Sequence, residues 1–194
     1  MGKTISKEEI KELEPGKFEG KVIVADTEKI AVKALGKLKG TAVLGFDTET
    51  KPTFKKGVTH QVALIQLASD DLAVLIRIQK TGIFPELKAL LEDEKISKVG
   101  IATKQDLKEL KESGDFEPKG FIDLNKEAPR YGYESVGVKN LSAMILGFRV
   151  SKRQQTSNWE APQLTEAQIR YAATDAWVCR EIYLRMKKQP ISSN

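Results

Sequence analysis

The chain has 194 residues, 40% of them apolar, and a formal charge of +5, enough to bury one sizeable core in a single domain spanning residues 1–194. Its longest apolar runs, 62–67 and 72–78, fall far short of the roughly 20 residues a membrane helix needs, and the early acids Glu8 and Glu9 are unlike a secretory leader, so a cytoplasmic protein with no membrane partner is expected. The lone cysteine, Cys179, excludes an internal disulfide and a zinc site built mainly from thiolates, while the positive balance suits a polyanionic partner.

Ser6-Lys7-Glu8-Glu9 is a capping box opening a short helix to about Leu13, and the Pro15-Gly16 turn behind it makes residues 1–14 a peripheral helix. Lys21 to Ala25 alternates as a strand, and Asp26-Thr27-Glu28 then starts a helical pattern through Ile30, Val32 and Leu35 that stops near Gly36. Thr41 to Asp47 is nearly all apolar, as a strand covered on both faces must be. His60 to Ala68 and Leu72 to Ile78, joined by Ser69-Asp70-Asp71, continue it as an antiparallel meander. From Phe84 the pattern becomes helix (to Leu91), strand (Ile96 to Ile101), helix (Gln105 to Glu112) and short strand (Phe121 to Leu124), an alternation that implies parallel pairing. The rest is helical apart from a polar loop, Ser151 to Pro162, and ends in a long helix from Thr165 to Lys187.

Asp47 and Glu49 stand two apart at the end of a strand, so side-chain alternation sends both carboxylates to one face. Like charges that close are tolerable beside a cation, and hard divalent ions such as magnesium or manganese prefer carboxylate oxygens. Tyr171 and Asp175 are one helical turn apart and point the same way. Asp106 follows a strand and heads a helix, where an acid is favoured by the helix dipole. Taken singly, plain structural roles account better for each of these: a polar turn, an amphipathic core tyrosine with a solvated neighbour, and an N-terminal helix charge.

Their order changes the balance. Gly45-Phe46-Asp47-Thr48-Glu49, then 62–67, then Val99-Gly100-Ile101 to Asp106-Leu107, then Ser157-Asn158-Trp159 and Leu164-Thr165-Glu166, and finally Tyr171-Ala172-Ala173-Thr174-Asp175-Ala176 resemble the DEDDy-type 3'-to-5' exonucleases, over about residues 43–184. The relatives in view are the Werner-syndrome exonuclease domain and the catalytic domain of ribonuclease D. The resemblance implies an α/β, ribonuclease H-like fold with a five-stranded mixed sheet flanked by helices. It also implies two metal ions, Mg2+ or Mn2+, with Asp47 bridging both, Glu49 and Asp175 holding the ion that activates water, and Asp106 helping to hold the other. Tyr171, whose ordinary pKa near 10 makes it a poor base at neutral pH, is then expected to orient the attacking water. The backbone of Thr48 is expected to contact the terminal nucleotide.

The expected activity is hydrolysis of DNA or RNA from its 3' end to nucleoside 5'-monophosphates, with DNA put slightly ahead. The alternatives are ribonuclease D-like RNA trimming and a catalytically silent nucleic-acid-binding module, which would be expected to have lost a metal acid. Lys152 and Arg153, in the polar loop, are candidates for phosphate contact, as are the lysines and aromatic of Lys51-Pro52-Thr53-Phe54-Lys55-Lys56-Gly57. Thr50 stands where relatives often carry a bulky aromatic, and Lys108 where the Werner-type domain has a tryptophan. His60 is expected to be structural and Asp123 to lie outside the metal set. With no helicase or helical nucleic-acid-binding region after Lys188, weak and partner-assisted substrate binding is expected.

Overall fold

A computed structural model describes residues 2–53, 57 and 59–192, so Phe54, Lys55 and Lys56 of the basic loop lie outside the described residues. Six strands run β1 (Lys21–Ala25), β2 (Val43–Thr50), β3 (Val62–Ala68), β4 (Leu72–Ile76), β5 (Ser97–Gly100) and β6 (Phe121–Asp123). The helices are α1 (Lys7–Glu12), α2 (Glu28–Gly36), α3 (Ile78–Thr81), α4 (Pro85–Glu92), α5 (Thr103–Leu110), α6 (Leu124–Glu127), α7 (Val138–Leu141) and α8 (Glu166–Met186). The strands form one mixed sheet in the order β1-β4-β3-β2-β5-β6.

The expected meander is present: β2 pairs antiparallel with β3, and β3 with β4. The helical connections before β5 and β6 bring β5 in parallel beside β2 and β6 in parallel beside β5, as crossovers of that length allow. The sheet has six strands rather than the five implied by family resemblance. Lys21–Ala25, which reads as a strand in the sequence, pairs with β4 in parallel along its whole length. The reason lies in β4, whose five residues are all buried; without β1 its outer backbone edge would lack hydrogen-bond partners.

The apolar character of β2 and β3 follows from cover on both faces. On one side α2, α4 and α5 pack over Leu44, Phe46, Ile65 and Leu67. On the other, α8 lies across Leu64, Ala68 and the small residues of β2 and β4, using Ala172, Ala173 and Ala176. The start of α8 is fixed by the anticipated capping box: Thr165 accepts from the Gln168 N–H, and the Gln168 side chain accepts from the Thr165 N–H. In β5 the buried Lys98 ammonium donates to the Leu90 and Asp93 carbonyls at the end of α4 (3.1 and 2.5 Å), and burial brings its pKa down to about 8.

The amino-terminal segment is more than a peripheral helix. The Ser6–Glu9 capping box forms, but Ile10 and Phe18 are buried, and backbone bridges join Lys3 to Tyr133 and Pro15 to Arg149. The Phe18 N–H donates to the Thr174 hydroxyl at 3.1 Å, so this segment braces α8 beside Asp175.

Candidate active site

The site is built where β2 ends under α8. Gly45, Asp47 and Glu49 share one face of β2, and a methyl group at Gly45 would overlap the Ala176 carbonyl of α8. The absence of a side chain at position 45 therefore lets α8 lie directly on the strand. Asp175, one residue before Ala176, is thereby pressed beside the two strand carboxylates. Oxygens of Asp47, Glu49 and Asp175 lie within 4.8 Å of one another. Ligands on opposite sides of one small dication at ~2.1 Å are spaced by roughly 4 Å, so this trio has the spacing and the hard oxygen chemistry of a divalent-ion site. A register shift between Glu49 and Thr50 bends the strand as it leaves the site.

Asp106 arrives from the opposite face of the sheet. It sits in the first turn of α5 and is not part of the compact trio; its Oδ1 accepts from the Thr48 hydroxyl at 3.0 Å. Alternation sends the Thr48 side chain away from Asp47 and Glu49, as anticipated, and that is what allows it to meet α5. The Thr48 N–H donates to Asp47 Oδ1 at 2.9 Å, so this part of its backbone is already engaged.

Crowding of acids away from water changes their protonation. Burial, then the charges of Asp175 and Asp106, hold the Asp47 carboxyl well above its ordinary range, while the Thr48 N–H opposes them. Burial and the neighbouring Asp47, Asp175 and Asp106 push Glu49 up to about 10. Burial raises Asp106 to about 6, against the favourable Thr48 hydrogen bond. Burial raises Asp175 to about 7, opposed by a hydrogen bond from Tyr171 and by the ammonium of Lys152. Tyr171, itself raised by burial and then by Asp175 and Glu49, keeps its proton and hydrogen-bonds to Asp175. Its ring packs 6.0 Å from the buried Trp159, which props it against the cleft.

These groups open onto a cleft of about 340 Å³ whose wall also holds Lys152, Gln155 and the apolar Ile101, Val138 and Val150. Arg153 instead lines a neighbouring recess of about 310 Å³ with Lys17 and Arg170, on the other side of Tyr171 and Asp175. Of the two cations named from the loop, the fold therefore brings Lys152 into the cleft with the acids.

A model of the 3'-5' exonuclease family matches residues 22–190. The chain belongs to the 3'-5' exonuclease family. Within this family of hydrolytic nucleases it is of the DEDD type. It is 35% identical over 150 residues to the bifunctional 3'-5' exonuclease/ATP-dependent helicase WRN of Mus musculus, covering 74% of this chain and 11% of that protein. It is 31% identical over 170 residues to ribonuclease D of Gluconacetobacter diazotrophicus, covering 86% of this chain and 42% of that protein. Among solved structures, the Aedes aegypti Nibbler EXO domain superposes with a TM-score of 0.77 at 27% identity, covering 90% of this chain and 92% of that one. The chain thus spans less than half the length of these two curated relatives.

His60, Thr50 and Lys108, also singled out in the sequence, are not among the residues lining the acid cleft. His60 Nδ1 lies 3.0 Å from Glu160 Oε1, in a network that also holds Lys51 and Gln79. Cys179 is buried on α8 at the back of the cleft, where burial keeps its thiol well above the ordinary range. Thr50 is half-buried beyond Glu49 and Lys108 is exposed on α5. The sequence reading missed two things: the hydroxyl of Thr48 as a partner of Asp106, and the side chain of Asp123, which accepts from the Ala102 N–H in the turn before α5. Spacing carries no signal for either, because each contact joins elements that are not neighbours in the chain.

Proposed function

We propose that this chain removes nucleotides from the 3' end of a nucleic acid by hydrolysis, releasing nucleoside 5'-monophosphates, with two divalent ions, Mg2+ or Mn2+, held at the acid cluster. The observation that carries the reading is the meeting of Asp47, Glu49 and Asp175 within 4.8 Å at the floor of a cleft, where burial holds all three carboxyls above their ordinary range. Glu49 and Asp175 would hold one ion with Asp47, and Asp47 with Asp106 the other. Bound there, such ions lower the pKa of water towards neutrality and stabilise charge on the departing 3' oxygen.

The protein's own groups complete the arrangement. Tyr171 stays protonated and its hydroxyl is a fixed hydrogen-bond donor beside Asp175, suited to orienting the attacking water rather than to removing its proton. Lys152, beside Asp175, is placed to take a phosphate oxygen of the incoming strand. Ile101, Val138 and Val150 offer an apolar wall to the terminal nucleoside, a surface that tolerates any base. Thr48, its N–H bonded to Asp47 and its hydroxyl to Asp106, ties the strand acids to the helix acid.

Digestion of labelled oligonucleotides with Mg2+ or Mn2+ tests the reading. Stepwise shortening from the 3' end is expected, abolished by chelation and by Asp47→Ala or Asp175→Ala. Intact ends with retained binding would replace it with a silent binding module. Matched DNA and RNA, single-stranded and recessed, separate DNA trimming, which we put first, from ribonuclease D-like RNA trimming.

A further inference from the structure

Asp106 reaches the site from a turn with an unusual backbone. Ala102, between β5 and α5, adopts φ 54° and ψ 32°, and is the only non-glycine residue with positive φ among those described. Left-handed backbone at a residue with a Cβ persists only where surrounding contacts impose it. Here the imposing contact is visible: Asp123 Oδ1, at the end of the adjoining strand β6, accepts from the Ala102 N–H at 3.0 Å. The same oxygen accepts from the Asn125 N–H at 3.0 Å, capping α6. Asn125 Oδ1 in turn accepts from the Gly137 N–H at 3.0 Å, immediately before Val138 of the cleft wall. The parallel pairing of Gly100 with Asp123 brings the side chain to the turn.

From this geometry we infer that Asp123 is a positioning residue for the second metal ion: by holding Ala102 in the left-handed turn it sets where α5 starts and hence where Asp106 presents its carboxylate beside Thr48. The inference rests on the reading of Asp106 as a ligand shared with Asp47. Asp123 itself makes no contact with substrate or ion in this scheme; it acts through the backbone. The Ala102 N–H stands at the head of α5, and Asp106 lies only one turn further along, so a shift of the turn moves the carboxylate with little to absorb it. Outer-shell partners of metal ligands commonly change affinity by about 10- to 100-fold when removed.

The test uses the full chain and counts bound Mn2+ by electron paramagnetic resonance of the free ion, with thermal unfolding and amide hydrogen exchange of residues 101–107 in the metal-free protein. Parent protein is expected to bind two ions, and Asp106→Ala to lose the weaker one. Asp123→Ala should weaken that same ion at least about 10-fold, leave the tighter one unchanged, and speed exchange in the turn without metal. Asp123→Asn keeps an oxygen acceptor for Ala102 and should restore binding to within about 3-fold of the parent, which separates hydrogen bonding from charge. Two ions in the parent, one in Asp106→Ala, and unchanged binding in Asp123→Ala with only a lower melting temperature would overturn the inference and leave the exonuclease reading standing. Equal weakening of both ions, or Asp123→Asn as weak as Asp123→Ala, would also overturn it. If the parent binds no ion, or Asp106→Ala binds as the parent does, the ligand assignment fails first and the inference with it.

Discussion

Glu49 supplies the sharpest consequence of the site's electrostatics. Its carboxyl is ordinarily ionised above about pH 4.5, yet in the folded, metal-free chain burial and three neighbouring acids raise its pKa to about 10. At pH 7 the folded state must therefore keep a proton on a group that is ionised when unfolded, which costs about 3 kcal/mol. A raised carboxyl pKa leaves stability intact below pH 4.5 and removes it progressively as pH climbs towards 10. Glu49→Gln deletes the titration at nearly constant shape. In chelator at pH 7 the variant is expected to be more stable than the parent by up to about 3 kcal/mol, or roughly 6–12 °C in melting temperature for a chain of this size. At pH 4.5 the two should melt together, and saturating Mn2+ at pH 7 should reverse their order because only the parent offers the full ligand set. Melting curves at both pH values, with chelator and with Mn2+, provide the assay. A variant no more stable than its parent in chelator at pH 7, or an advantage that is the same at pH 4.5, would refute the argument.

Two other substitutions probe different steps. Tyr171→Phe removes the hydroxyl that bonds Asp175 but keeps the ring against Trp159; kcat should fall by about 10²-fold, with melting temperature changed by only a few degrees and Mn2+ binding retained, as single-turnover kinetics and ion titration would show. Gly45→Ala forces a methyl into the Ala176 carbonyl, backbone that cannot step aside, so chemical denaturation should report a loss of about 3 kcal/mol or more along with the metal site.

The positions of the secondary elements were legible in the sequence because the signals are local. Thr27 caps α2, Thr165 and Gln168 box the start of α8, and the buried runs of β2 to β4 follow the expected order. The same is true within each motif: alternation alone puts Asp47 and Glu49 on one face, and helical pitch alone puts Tyr171 above Asp175. Family resemblance then joined the motifs, although it implied one strand too few.

What no local period contains is how far apart packed elements come to rest. The 4.8 Å cluster exists because Gly45 lets α8 settle on β2, and no pattern within residues 166–186 reports that approach. Asp106 looked like one more member of a carboxylate set, but it comes from the other side of the sheet and is met by the Thr48 hydroxyl, a contact between residues 58 apart in sequence. The supports of α8 and α5, from Phe18 to Thr174 and from Asp123 to Ala102, likewise join segments distant in the chain. Sequence thus determined which face of its own element each candidate side chain occupies, since backbone geometry repeats over a few residues. Tertiary packing alone decided their distances, their protonation and the residues that hold them in place, since these depend on burial and on contacts between elements that the chain order does not make neighbours.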